Sequence, residues 1–321
     1  MDVCASRTRL WFRFLAILSL VFVQTSAFAQ SEQSPAGIVR AVLSAPGEEL
    51  SYERAKLTFD RIIAPELDQV GAIAEIDLLA TAAKRIAAVG NDIDKLKAVR
   101  QVIYEAGTWN GSRPFVYDHA DPYGEDLHNK LLATYIDTRR GNCVSMPILQ
   151  LIVAERLGLN VSLSTAPLHV FMRYTSPTNG RSLAIEATSG GHPARETWYH
   201  EQLGVTDAQV KSGIYLGVLT KRESIAGMAS TVTEWLMSQG RQAEAIEVAD
   251  VLLEYYPTDV HAVLSRGTAH GELFRTEFVE HFPTPAAIPM GLQSGCCQAV
   301  LSPFGQTDTA TKRSIVAKNS M

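Results

Sequence analysis

Three residues in the middle of the chain are of the types, and in the order, that acyl transfer through sulfur requires: Cys143, His169 and Glu186. A thiolate attacks a carbonyl carbon, an imidazole takes up and returns the proton, and a carboxylate orients the imidazole. The backbone N–H of Cys143 would be a first donor to the oxyanion formed on attack. A lone cysteine is more often a small apolar side chain packed in a core. The elements around it therefore decide between a reactive and a structural thiol.

Asn142 is a good helix N-cap type, and the apolar run Ile148, Leu149, Leu151, Ile152 and Val153 after it ends at Leu157-Gly158. Cys143 is thus expected at or next to a helix N-terminus, where unpaired N–H groups and the positive end of the helix dipole favour the thiolate. Pro147 limits how regular the first turn can be. Residues Val161 to Ala166 alternate apolar and hydroxyl side chains as on a half-buried strand, and Pro167 and Leu168 interrupt them. A second strand, His169 to Tyr174, places His169, Phe171 and Arg173 on one face and Val170, Met172 and Tyr174 on the other. Ser176 to Gly180 is turn material, and Ser182 to Ala187 reads as a third strand. A turn centred between Pro177 and Thr178 sets Glu186 opposite His169. A turn centred on Asn179-Gly180 moves Glu186 along by about two positions on each strand, so the register stays open.

The segments around this unit differ in character. In residues 1–29, Arg7, Arg9 and Arg13 flank an apolar stretch from Phe14 to Val23, and Ala27-Phe28-Ala29 follows. This reads as a secretory signal cleaved after Ala29, with an apolar run short of the roughly twenty residues of a spanning helix. Cys4 would leave with it, and the mature chain is expected in the periplasm or secreted, with no membrane span. Residues 30–50 look flexible. Residues 51–110 look helical: Tyr52 to Ile63, then Leu67 to Val89 with Val70, Ile73, Ile76, Leu79 and Ala83 near helical spacing. A third helix is capped by Asp92 and carries Leu96, Val99, Val102 and Ile103 on one side.

Between Thr108 and Tyr123 the periodicity stops in a loop dense in Gly, Pro, Asp and aromatics. Asp118, His119 and Asp121 suggest a metal, yet no second His or Cys stands at ligand spacing. Turn chemistry, with Asx side chains bonding their own backbone, is the favoured reading, and no metal or cofactor is called for. Leu127 to Thr138 resumes a helical pattern.

After residue 220, Gly240, Ala245, Pro257 and Gly267 fit a tetratricopeptide-like register over residues 225–285, with an ordinary helical hairpin as the alternative. Phe282 to Pro289 is Pro-rich and expected to be extended. Residues 286–321 read as a low-order tail. At 321 residues, 46% apolar and a net charge of -5 with no basic stripe, the chain can bury a sizeable core and is unsuited to nucleic acid. Export leaves Cys143, Cys296 and Cys297, which cannot all pair within one chain. The adjacent pair is open to a vicinal bridge, an intermolecular bridge or two free thiols.

Several of these stretches together resemble the bacterial branch of the transglutaminase-like superfamily: Arg139-Arg140-Gly141-Asn142-Cys143, Leu157-Gly158-Leu159, Pro167-Leu168-His169-Val170-Phe171, and Glu186 with Gly190-Gly191 behind it. The run from Tyr117 through Asn129-Lys130-Leu131-Leu132 is similar to what precedes the cysteine there. The resemblance covers roughly Tyr117 to Gly191. It implies an α+β, papain-like fold, with a cysteine-bearing helix packed on an antiparallel sheet, and a Cys143, His169, Glu186 triad with Glu where the superfamily usually has Asp. The expectation is an exported cysteine hydrolase or acyl transferase acting on an amide or peptide bond through a thiol domain at residues 111–220. Its partners would be a peptide or protein substrate and a protein bound by the C-terminal helices. A non-catalytic envelope scaffold that keeps the fold is the alternative.

Overall fold

The computed structural model describes residues 34–289. The anticipated signal at residues 1–29, and the tail beyond Pro289 with Cys296 and Cys297, lie outside the described residues. The described chain divides into one compact unit that ends at His270 and a second that begins at Gly271.

The N-terminal helices are α1 (Pro35–Ser44), α2 (Tyr52–Ile63), α3 (Gln69–Ile86) and α4 (Asp92–Tyr104). The first corrects the expectation of a flexible segment over residues 30–50. Ser34 accepts a hydrogen bond from the Gly37 amide, Pro35 starts the helix, and Val39 and Leu43, four apart, are both buried. Sequence spacing also put Val70 and Ile73 on the inner face of α3. They are 79% and 36% exposed, and the buried stripe is Ala72, Ile76, Leu79, Ala80 and Ala83. Small alanines carry that face, so a pattern weighted to large side chains tilts the wrong way. In α4 the N-cap is Asn91, one residue ahead of the expected Asp92, in a reciprocal box with Asp94.

Next come β1 (Val116–Tyr117), α5 (Leu132–Thr138), β2 (Arg140–Gly141) and α6 (Ser145–Arg156). Leu127–Lys130 forms a 3-10 turn, so the helical pattern expected over residues 127–138 is broken at Leu131. No side chain of its own caps α5. The buried Asp60 carboxylate does so from α2, accepting the Leu132 amide at 2.7 Å while paired to buried Lys56 at 2.7 Å. Residues from Ser145 to Ala154 of α6 are all buried, which makes this helix the centre of the fold.

The sheet is β3 (Val161–Ala166), β4 (His169–Thr175), β5 (Ser182–Glu186) and β6 (His192–Ala194), antiparallel in that order. The fourth strand was not read from the sequence. Leu163, Met172 and Ile185 join α6 and the N-terminal helices in the main core. The other face packs Ala166, Phe171 and Ala184 with Tyr199, Val205 and Leu216. Outward groups of the edge strand β3 are satisfied. Leu216 and Leu219 donate amides to Thr165 and Leu163, Tyr52 donates to the Val161 carbonyl, and Ser224 accepts the Leu163 amide.

The helices that follow are α7 (Glu196–Leu203), α8 (Asp207–Lys211), α9 (Lys221–Met228), α10 (Ser230–Ser238), α11 (Gln242–Tyr255) and α12 (Val260–Phe274). Ile225, Val232, Leu236, Ala245, Val248 and Leu252 belong to the same core as α6, so the regions anticipated as successive domains share one interior up to His270. Arg40 of α1 binds Glu254 of α11 through both guanidinium arms, at 2.5 and 2.6 Å. In the second unit Phe274, Phe278 and Phe282 stack along a π-helical turn, Arg275–Val279. The stretch expected to be extended closes a 3-10 turn at Pro285–Ala287. Among the described residues no helix is long and apolar enough to cross a membrane. The architecture is α+β.

Candidate active site

The cysteine is held by a short parallel ladder on one side and by α6 on the other. Val116 pairs with Arg140 and Tyr117 with Gly141, and the Asp118 amide donates to the Gly141 carbonyl at 2.8 Å. Gly141 must be glycine, because a Cβ there would lie 2.4 Å from Ser145 Oγ and 2.5 Å from the Tyr135 ring. Buried Asn142 folds its Oδ1 back onto the amides of Val144 at 2.9 Å and Ser145 at 3.4 Å. Ser145 Oγ accepts the Asn142 amide at 3.2 Å and donates to the Asn129 carbonyl at 2.6 Å. Asn142 makes the bonds the sequence anticipated, with Ser145 as the second member that it missed, but the helix itself starts at Ser145 with Val144 at its N-cap. Cys143, half-buried, lies between Asn142 and Ser145, two positions before the helix.

His169 opens β4. Its Nε2 is 2.7 Å from Glu186 Oε2, and the Cys143 side chain beside it helps to raise its pKa. Cys143 Sγ lies 3.9 Å from the Leu168 carbonyl oxygen. The imidazole packs between rings whose centroids are 6.2 Å (Trp198), 6.4 Å (Phe171) and 6.4 Å (Tyr199) away.

Neither register left open by the sequence is the one observed. Met172 pairs with Ile185, which centres the turn between Thr178 and Asn179 and sets Glu186 beside Phe171. Glu186 is therefore diagonal to His169 on the same face. A glutamate, one methylene longer than aspartate, spans that diagonal. Its other oxygen, Oε1, accepts the Thr188 amide at 3.1 Å and the Thr188 hydroxyl at 2.7 Å, and Tyr199 donates to Oε2 at 3.5 Å.

The electrostatics follow from these partners. Burial pulls the His169 pKa down, but hydrogen bonds to Cys143 and Glu186 and the charges of both outweigh it, leaving the imidazolium up at about 9. For Glu186 burial pushes the pKa up, and the bonds from His169 and Thr188 more than offset this, so it lies below the usual range. Burial, and after it the Glu186 charge, raise the Tyr199 phenol. An imidazolium beside a sulfur and backed by a carboxylate is an arrangement that can hold a thiolate and deliver a proton.

The structure thus brings Cys143, His169 and Glu186 together. Asp118 and Asp121 stand apart from them in use: Asp118 accepts the Ala120 amide, and Asp121 accepts the Glu125 and Asp126 amides and the Asn129 side chain. His119 packs on the Tyr117 ring at 5.3 Å. Among the described residues no group of His, Cys, Asp and Glu side chains is arranged to hold a metal ion. Thr188 and Tyr199 escaped the sequence reading. A Thr two residues after an acid at a strand end is a recognisable turn pattern and could have flagged the first. Tyr199 sits on a helix that no local pattern ties to Glu186.

Residues 71–226, which include the cysteine-bearing helix and the sheet, match the family model described as the transglutaminase-like superfamily. More particularly, the chain is similar to the UPF0162 protein of Buchnera aphidicola subsp. Schizaphis graminum (strain Sg), 25% identical over 210 residues, covering 59% of this chain and 70% of that protein. It is also similar to the UPF0162 protein of Xylella fastidiosa (strain 9a5c), 24% identical over 185 residues, covering 56% of this chain and 62% of that one.

Proposed function

We propose that the protein is an exported cysteine hydrolase or acyl transferase acting on an amide or peptide bond, with Cys143 as nucleophile, His169 as general acid and base, and Glu186 as the orienting carboxylate. The observation that carries the reading is the 2.7 Å bond from His169 Nε2 to Glu186, which leaves Nδ1 to serve a nucleophile, with Cys143 beside the same imidazole. Cys143 Sγ attacks the carbonyl carbon while the oxyanion meets the Cys143 N–H. The C–N bond then breaks, His169 gives its proton to the departing nitrogen, and a thioester remains. Water or an amine, deprotonated by His169, then releases the acyl group and restores the thiol. Export rests on the basic and apolar pattern of residues 1–29. The C-terminal helices, with their tetratricopeptide-like spacing, are proposed to bind a partner protein.

A minimal acyl donor tests this. Incubated with p-nitrophenyl acetate at pH 7, the native chain is expected to carry an acetyl group on Cys143, read by mass spectrometry, and His169→Ala is expected to carry none. Acetylation that ignores His169, or none at all, opposes the proposal.

A further inference from the structure

The two-residue turn that precedes His169 is unusual for its position. Ala166 pairs with His169 across it, Pro167 takes the first corner, and Leu168 takes the second with φ +54°. A positive φ after Pro is the geometry of a type II turn, whose second corner favours glycine. It also bends against the twist that two-residue hairpins prefer. A leucine there pays in backbone strain, and its side chain makes no return by burial, being 97% exposed. Isolated exposed leucines are ordinary. This one is strained, and its carbonyl oxygen lies 3.9 Å from Cys143 Sγ. Trp198, 38% exposed, lies beside the His169 imidazole, with ring centroids 6.2 Å apart.

The imidazole also fixes which part of a substrate meets this rim. A proton carried by the imidazole must reach the departing atom, so the leaving group lies beside the ring, near Trp198 and near Leu168, whose carbonyl oxygen is 3.9 Å from Cys143 Sγ. We infer that Leu168 is a specificity-determining residue that gives the leaving-group side of the site an apolar wall, so that substrates carry an apolar group next to the departing atom. This inference rests on Cys143 being the nucleophile.

Two thioesters with the same acyl group and leaving thiols of similar acidity separate the two ideas: S-benzyl thioacetate and S-(2-hydroxyethyl) thioacetate. In each, Cys143 Sγ bonds to the acetyl carbon, the C–S bond of the probe breaks, and the departing thiolate takes the proton from His169. The full chain is expected to be acetylated about tenfold faster by the benzyl probe, the factor expected from covering one large side chain. Leu168→Gly relieves the positive φ and so keeps the fold. It is expected to lower that preference, read as the ratio of the two rates in the same variant, to about twofold, and Leu168→Met should restore most of it. Acetylation of Cys143 without preference, or with a preference that survives Leu168→Gly, overturns the apolar wall alone. No acetylation by either probe overturns the nucleophile, and the wall with it.

Discussion

Two histidine–glutamate pairs are built into this protein with nearly the same bond, and they do different things. His169 Nε2 meets Glu186 at 2.7 Å, and His261 Nε2 meets Glu234 at 2.9 Å. In both, burial lowers the imidazole pKa and the partners more than restore it, Cys143 and Glu186 for His169 and Glu234 for His261, so both histidines end above their ordinary value. The difference lies in what else the partners touch. Glu234 also takes Lys130 Nζ at 2.5 Å and, although burial raises it, ends down at about 2. His261 Nδ1 faces Ser265 of its own helix at 3.4 Å. That pair ties the turn behind the cysteine loop to the C-terminal helices and leaves no reactive atom beside the ring. The first pair lies beside a thiol, that of Cys143. A charged imidazole is common to a strut and to a site, and the neighbour of the free nitrogen separates them.

Parallel substitutions separate the two pairs. Glu186→Gln is expected to slow iodoacetamide alkylation of Cys143 at pH 6 by about a hundredfold. Glu234→Gln should leave that rate within about twofold of the native one. Equal effects would mean that the two pairs do the same work.

Stability against pH gives the next effect. The His169 imidazolium stands at about 9 in the folded chain against an ordinary 6.5, so the folded state keeps a proton that the unfolded state releases between these values. Its contribution is full below pH 6.5 and is lost as pH rises through 9, on the order of 3 kcal/mol. Urea midpoints measured from pH 6 to 10 should fall across this window, and His169→Gln should flatten the fall. Glu234 works in the opposite direction: its contribution is present above its ordinary 4.5 and is lost as pH falls toward 2.

Glu234→Gln at neutral pH leaves Lys130 and His261 without a negative partner and is expected to cost about 1–2 kcal/mol by urea denaturation, since the pair is partly exposed. Smallest is Thr188→Val, which removes one of two bonds to Glu186 Oε1. A loss of about 1 kcal/mol in stability by urea denaturation and a severalfold drop in the Cys143 alkylation rate are expected, with the His169 titration shifted down by NMR.

What could be read in the sequence follows from how local its causes are. The cap around Cys143 and the alternating faces of β4 come from neighbouring residues, and both were legible. The position of Glu186 depends on the 176–181 loop, where Gly180 has φ +68° and the Asn179 side chain bonds the Arg181 amide. These details shift the turn by one residue from either simple centre, and only the shared face of His169 and Glu186 survived the uncertainty. The buried stripe of α3 was misread because alanines carry it. The role of Tyr199, and the union of N-terminal helices, sheet and C-terminal helices in one core, depend on packing between distant segments, for which no spacing rule exists.

Alkylation of Cys143 by iodoacetamide at pH 6, followed on its own tryptic peptide, tests the thiol and imidazolium pairing most directly. An unperturbed thiol is about 0.3% ionised at that pH, which bounds the possible acceleration near 300-fold. In the native chain Cys143 should react about a hundredfold faster than in the urea-unfolded chain, and His169→Ala should remove that excess. Equal rates in the folded and unfolded chains, or an excess that persists without His169, would contradict the account.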